Sequence, residues 1–351
     1  MATISTSSSR PYHIIVFGAS GFTGQFVVEE VARTTAEGPA GTLKWAIAGR
    51  SRPKLEKVLD QAAGALSKPE LKSEVEIIVA DVGEEESLAA MCKQGVIVLN
   101  CVGPYRFYGE PVVKACVENG THCIDICGEP QGGCIHDGTW QSAIYGFADS
   151  AKLRSLRKKS ALFFSKEIDQ YAVPFMGADP SVVKRTQRYL HEEHQESPVQ
   201  YGAYAGVGGI ASVVKLLFAG MLFWFMVKFS FGRNLLIKFP ELFSFGVFSK
   251  EGPTKKQMEN SSFCFTFFGE GYAEGQDPMQ GKPNAKIRTQ AGYVATPIAM
   301  VQAAITLLNE PKSLPKTGGV YSPGAAFAKT TLVDRLNKHG FQFSVVTGPE
   351  A

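Results

Sequence analysis

A chain of 351 residues, 44% hydrophobic and 20% charged, can bury enough apolar surface for two domains, which excludes a disordered tail or a disulfide-built miniprotein. Lysine and arginine number 36 against 33 acidic residues, and the resulting net charge of +3 lacks the basic excess of a nucleic-acid binder, so no nucleic-acid partner is expected. Mean hydropathy is close to zero, between a cytosolic enzyme and a multispan membrane protein, as if two unlike regions had been averaged.

The first twelve residues, MATISTSSSRPY, are polar and have no apolar run, so they do not read as a secretory signal, and the single Arg10 falls short of a mitochondrial presequence. From His13 to Cys127 apolar runs alternate with amphipathic stretches. The runs predict strands at His13–Phe17, Lys44–Ala48, Val75–Val79, Val96–Leu99 and His122–Ile126. Between them helices are expected at Gly21–Thr34, Arg52–Ala65, Glu84–Cys92 and Gly109–Asn119. Strands and helices alternating at this spacing predict an α/β fold, a Rossmann-type doubly wound parallel sheet over residues 1–131. In the first helix Phe22, Phe26, Val27 and Val31 are placed on the apolar face, with Gln25, Glu29 and Glu30 toward water.

The strand ends carry the chemistry. The first strand runs straight into Gly18-Ala19-Ser20-Gly21-Phe22-Thr23-Gly24. Glycine permits a positive φ at the tight turn, lets the backbone approach a pyrophosphate, and allows close helix–strand packing. The helix N-terminus then offers unpaired N–H groups to the anion. A tight strand–helix turn alone would also explain the glycines; their position after the first strand favours the dinucleotide site. The second strand ends in Arg50-Ser51-Arg52, where an NAD enzyme would carry a carboxylate for the ribose hydroxyls. Two guanidinium groups and a hydroxyl suit a 2′-phosphate instead, so NADPH is preferred over NADH. Asp81 and Val82 close the third strand, on the adenine side. Cys101, Val102, Gly103, Pro104 and Tyr105 follow Asn100 at the end of the fourth, beside the expected nicotinamide.

Candidate proton donors there are Tyr105, Tyr108 and Cys101, against the plainer reading that the tyrosines only pack and the thiol is a small buried hydrophobe. Asp125 and Glu129 fit capping as well as catalysis, and His136-Asp137 is too isolated to argue a base. Seven scattered cysteines (Cys92, Cys101, Cys116, Cys123, Cys127, Cys134 and Cys264) include no paired ligand spacing, so no metal site is expected and reduced thiols in a cytosol-facing protein are.

After residue 131 a second, α+β domain is expected over 132–290, with C-terminal helices over 291–351 returning to the first domain. It opens on a basic run, Lys152, Arg154, Arg157, Lys158 and Lys159, and includes a strand expected at Val199–Val207. Its outlier is the apolar segment from Gly208 to Lys250, in which Leu216–Val227 has no charge. Ile210–Val227 approaches the length of a spanning helix but contains Lys215, and Gly232 and Pro240 separate it from a second stretch, Leu235–Phe248. A hairpin or interfacial helix entering one leaflet fits better than a full span, with Lys228, Arg233 and Lys238 expected to snorkel or to meet anionic headgroups. A buried helix in a homodimer is the alternative. Helices are expected at Thr296–Leu308 and near Lys329–Lys338.

GASGFTG, AGR, NCVGPYRFYGEPVVKAC and CIDICGEP, with SPVQY, LLIKFP, LFSFG, GYVATPIAMVQAA and PGAAF further on, resemble the saccharopine dehydrogenase family over nearly the whole chain. The resemblance implies an NADP(H)-dependent oxidoreductase with an inserted α+β domain. It also implies kinship with fungal saccharopine reductases and bacterial trans-acting enoyl reductases, and a location on lipid droplets or other cytosol-facing membranes, with mitochondrial association a further option. A lipid-like substrate suits the apolar segment better than polar saccharopine does. The chain departs from the family after Gly128-Glu129-Pro130-Gln131, where a helix, a strand and the turn into the second domain are replaced by Gly132-Gly133-Cys134. That loss implies an open sheet edge and impaired turnover, and it raises an inactive nucleotide-binding scaffold as the alternative.

Overall fold

The computed structural model describes residues 10–127, 160–175, 178–243, 264–271, 285–292, 296–341 and 343–345. Glu129, Gln131, His136, Asp137 and the basic run at 152–159 lie outside the described residues. Two compact units emerge, one from the chain up to residue 134 with 185–196 and everything from 262 onward, the other from 135–184 and 197–261.

The first unit holds a five-stranded parallel sheet of β1 (Tyr12–Phe17), β2 (Trp45–Gly49), β3 (Glu76–Val79), β4 (Gly95–Asn100) and β5 (His122–Asp125), in the order β3-β2-β1-β4-β5. Its inner strands β1, β2 and β4 contain continuous buried apolar runs because both faces are covered. Ile14 and Val16 of β1 pack with Val27, Val28 and Val31 of α1 (Phe22–Arg33) and Leu55 and Leu59 of α2 (Arg52–Leu66). Ile15 and Phe17 point the other way. After the short α3 (Leu71–Glu74), they meet Leu88 and Met91 of α4 (Glu85–Cys92) and Val112 and Cys116 of α5 (Tyr105–Glu118). The period-two alternation of a strand thus distributes one sequence run between two cores. At the opposite end of the sheet, Arg10 donates from Nη1 to the carbonyls of Cys92 and Gly95 and from Nη2 to that of Asn119, so the one N-terminal arginine fastens the chain entering β1.

Two expectations change. Helix α5 starts at Tyr105, four residues before Gly109, because the Pro104 carbonyl accepts from Phe107 N and Tyr108 N at 3.1 Å each; Pro111 is accommodated inside the helix. Glu30 is buried rather than facing water, 3.5 Å from Arg33 and 3.7 Å from His339, whereas Phe22 at the start of the helix is exposed.

The second unit contains an antiparallel sheet of β6 (Phe163–Ser165), β7 (Gln170–Pro174) and β8 (Tyr204–Val207), so the strand expected at Val199–Val207 is confined to its last four residues. Helix α6 (Asp179–His194) contributes residues to both units. Helix α7 (Gly209–Met226) rests on β7, with Val213 its buried residue, and is followed by α8 (Ser230–Lys238) and the single turn α9 (Pro240–Phe243). Only 11% of the α7 window is buried, and among the described residues α7 alone is long and apolar enough to cross a membrane by length and composition.

Strands β9 (Cys264–Gly271), β10 (Ala285–Gly292) and β11 (Ser344–Val345) form an antiparallel sheet in the order β11-β10-β9, grouped with the first unit. Helix α10 (Thr296–Asn309) lies against α1, β4 and β5, and every residue from Met300 to Leu308 is buried. Beyond it come α11 (Pro323–Ala326) and α12 (Leu332–Lys338). Polar bonds clamp this end of the chain to the turn after α1 and to α10: Arg335 pairs with Glu37 and donates from Nε to Gln302 Oε1 at 3.0 Å, and His339 Nε2 lies 2.9 Å from Glu37 Oε1.

Candidate functional site

Strand register brings the expected residues to one edge. Phe17 pairs with Ala48 on one side and Asn100 on the other, while Gly49 pairs with Val79 and Asn100 with Asp125. The residues after each strand therefore emerge side by side: Gly18 after β1, Arg50 after β2, Ala80 and then Asp81 after β3, and Cys101 after β4. The sheet's order reverses between β1 and β4, and a crevice at that switch point is where open α/β sheets take ligands.

Gly18 has φ +81°, and a β-carbon there would lie 2.8 Å from Val102 Cγ2 and 3.0 Å from the Cys101 carbonyl carbon. The two loops flanking the switch point are thus in contact through a position with no side chain. A β-carbon on Gly24 would lie 2.2 Å from the Gly18 oxygen, so α1 packs directly on the end of its strand. Gly18 N and Ala19 N both donate to Ala48 O, and Gly21 N donates to Gly18 O at 2.9 Å. Gly21 caps α1 with no side-chain cap, and the first turn holds no acidic residue, leaving the helix N-terminus free for an anion. Ala19 is buried, Ser20 is exposed, Thr23 is half-buried, and exposed Phe22 meets Phe26 edge to face.

Arg50 is exposed, and no hydrogen bond or ion pair to it occurs among the described residues. Ser51 is the N-cap residue of α2, yet its hydroxyl makes no capping bond. Arg52 is exposed and donates from Nη2 to the Ile77 carbonyl at 3.0 Å, which draws its guanidinium toward β3. The stretch 50–52 therefore carries two cations and a hydroxyl with no carboxylate among them. Asp81 is engaged locally, its Oδ1 accepting from Gly83 N at 2.9 Å, while Val82 packs into the second core.

On the β4 side, Val102 N donates to Asn100 Oδ1 at 3.0 Å, and the Gly103–Pro104 peptide is cis. The Tyr105 hydroxyl donates to Asn100 O at 2.7 Å and accepts from Ile126 N–H, fastening the end of β4 to the residue after β5. Burial pushes its phenol well above the ordinary range. A proton donor to substrate needs a free hydroxyl, and this one is a structural tie. Burial also raises the Cys101 thiol to about 12, and its Sγ lies 3.9 Å from Met300 Sδ. The thiol is therefore neutral at physiological pH, which is the plainer of the two sequence readings. Tyr108 is partly exposed beside Phe107, and Asp125 Oδ1 accepts from Cys127 N in a local turn.

Asn100 itself was not among the expected cofactor-binding residues. It is fully buried, and its Nδ2 has no partner among the described residues. The signal in the sequence is an amide at the last position of an otherwise apolar strand. With the cradle left open by Gly18, this unsatisfied donor at the switch point makes the site a fit for a dinucleotide. No group of three or more histidine, cysteine or acidic side chains could hold a metal ion among the described residues.

Residues 14–166 match the model of the saccharopine dehydrogenase NADP binding domain. The chain is 51% identical to the saccharopine dehydrogenase-like oxidoreductase of Mus musculus over 426 aligned positions, covering 98% of this chain and 99% of that one. It is 32% identical to the lipid droplet localized protein of Caenorhabditis elegans, across 95% of this chain and 98% of that one. A probable mitochondrial saccharopine dehydrogenase-like oxidoreductase of Arabidopsis thaliana is 31% identical, with 96% of each chain covered. The 426 positions aligned with the mouse protein exceed this chain's 351 residues by 75, so at least that many fall opposite gaps here. With nearly all of both chains covered, those gaps are internal. Identity of this extent, joined to a parallel sheet whose strand ends carry the nucleotide motifs, makes the chain a member of the saccharopine dehydrogenase-like oxidoreductase family, with its NADP-binding domain at residues 14–166.

Proposed function

We propose that the protein is an NADP(H)-dependent oxidoreductase that prefers NADPH to NADH and acts on a lipid-like substrate at a membrane or lipid-droplet surface. The bound nicotinamide supplies or accepts the hydride. Residues 18–24 bind the pyrophosphate: the turn at Gly18 lets the backbone approach it, and the uncapped N-terminus of α1 favours its charge. Arg50, Ser51 and Arg52 hold the 2′-phosphate, with Asp81 and Val82 beside the adenine. Asn100 offers its free amide to the nicotinamide half, and Cys101, Val102, Gly103 and Pro104 line that end. Tyr105 keeps the ends of β4 and β5 together.

The observation carrying the NADPH preference is the end of β2, where an unpartnered Arg50 stands in place of a carboxylate. Titration of cofactor fluorescence tests it. NADPH should bind at least tenfold more tightly than NADH, and Arg50→Ala should remove about 1.5 kcal/mol of NADPH affinity while leaving NADH unchanged. Equal affinities for the two cofactors would refute the preference.

Membrane association rests on the exposed apolar surface of α7, and the name of the C. elegans relative agrees with a droplet surface. The name of the Arabidopsis relative points to mitochondria as an alternative compartment. A second reading, a nucleotide-binding scaffold on lipid droplets without turnover, is favoured by the 75 or more positions this chain lacks relative to the mouse protein.

A further inference from the structure

The α7–α8 elbow carries more than apolar surface. Residues 208–240 include Lys215, Lys228, Arg233 and Lys238 but no aspartate or glutamate, and among the described residues none of these cations has an acidic partner. The elbow is tightly built. A β-carbon on Gly232 would lie 2.2 Å from the Met226 carbonyl oxygen, so α8 sits directly on the end of α7. Arg233 spans the bend, donating from Nη1 to Val227 O at 2.8 Å and from Nη2 to Ser230 Oγ at 3.0 Å. Lys228 Nζ lies 3.3 Å from the centroid of the Trp224 ring. Around these cations Trp224 is 60% exposed, and Phe231 and Ile237 are each 74% exposed. Unpaired cations held among exposed aromatic rings match the boundary between phosphate headgroups and acyl chains, where indole rings settle and ammonium and guanidinium groups meet phosphate.

We infer that this elbow is a docking site for anionic phospholipid, with Lys228, Arg233 and Lys238 facing the headgroup phosphates while Trp224, Phe231 and Ile237 enter the acyl boundary. The inference rests on the membrane reading above and adds a charge selectivity to it. An apolar helix alone partitions without regard to headgroup charge. This elbow adds charge selectivity, because among the described residues none of its cations is paired with an acidic side chain, Glu241 included.

Flotation of the full chain with vesicles of phosphatidylcholine, with or without phosphatidylserine, tests both layers. The chain should partition more strongly onto the anionic vesicles, with the difference shrinking as salt is raised. Lys228→Gln and Lys238→Gln should each lower partition onto the anionic vesicles about fivefold and leave phosphatidylcholine binding unchanged. Arg233→Lys, which keeps the charge, should retain most of the selectivity. Equal partition onto both vesicles would overturn the headgroup site and leave the apolar membrane reading standing. Flotation with neither, together with sedimentation as a dimer, would overturn both and assign the α7 surface to a second copy of the chain.

Discussion

A methyl group on Gly24 would lie 2.2 Å from the Gly18 carbonyl oxygen and 2.8 Å from the Ala19 Cα, and neither backbone atom can rotate aside. Gly24→Ala should therefore push α1 off β1, destabilising the fold by about 2–3 kcal/mol in urea unfolding and weakening NADPH binding with it. Gly21→Ala, whose new carbon meets the same oxygen at 3.2 Å, should do far less. Cys101 makes a prediction about pH. Its thiol ionises near its ordinary pKa, about 8.5, once unfolded, but at about 12 when folded. The stability this difference contributes is fully present below the lower value and is lost as pH rises through the upper one. Denaturation curves collected from neutral pH to about 11 should show Cys101→Ala losing less stability than the wild type. The glycine spacing was legible in the sequence because the turn's requirement is local. The tie made by Tyr105 was not, because it depends on β5 pairing with β4, which brings Ile126 within reach of a phenol twenty-one residues earlier.

The parallel sheet follows from its strand patterns almost residue for residue, since each strand is an apolar run bounded by turn residues and each crossover helix has one apolar face. The start of α5 was hidden because Gly109 and Pro111 resemble the beginning of a helix, while the residues before them, Tyr105 to Tyr108, carry no strong helical period. Helix α10 was legible as a helix returning to the first domain, while its exact seat there was not. Nine consecutive buried residues give it no polar face, so its sequence cannot say what it packs against. The structure sets Val301, Ala304 and Ile305 in the same core as Ile14, Val16 and Val27. Ile305→Ala should accordingly cost about 3 kcal/mol in guanidinium unfolding and loosen the nucleotide domain, although the residue lies outside its matched range.

At the scale of the molecule, the sequence indicated a soluble nucleotide-binding half and an apolar segment that raises the mean hydropathy, and the exposed surface of α7 gives that average its physical source. The ends of β1 to β4 proposed to hold the cofactor are all present, so NADPH affinity should match that of a form in which the relatives' additional internal segment, expected after Gln131, is restored. Turnover of NADPH with lipid carbonyl compounds should rise in that restored form, and equal turnover by the two would show that the segment is dispensable. The partnership of Cys101 with Met300, 199 positions apart, also has a consequence for how the chain is made. A ribosome that has finished β5 has delivered five strands but no α10 to cover them, and it must synthesise the greasy α7 before α10 emerges. The sheet face that already carries α1 and α2 therefore stays incompletely covered until α10 arrives, after α7 of the other unit has been extruded.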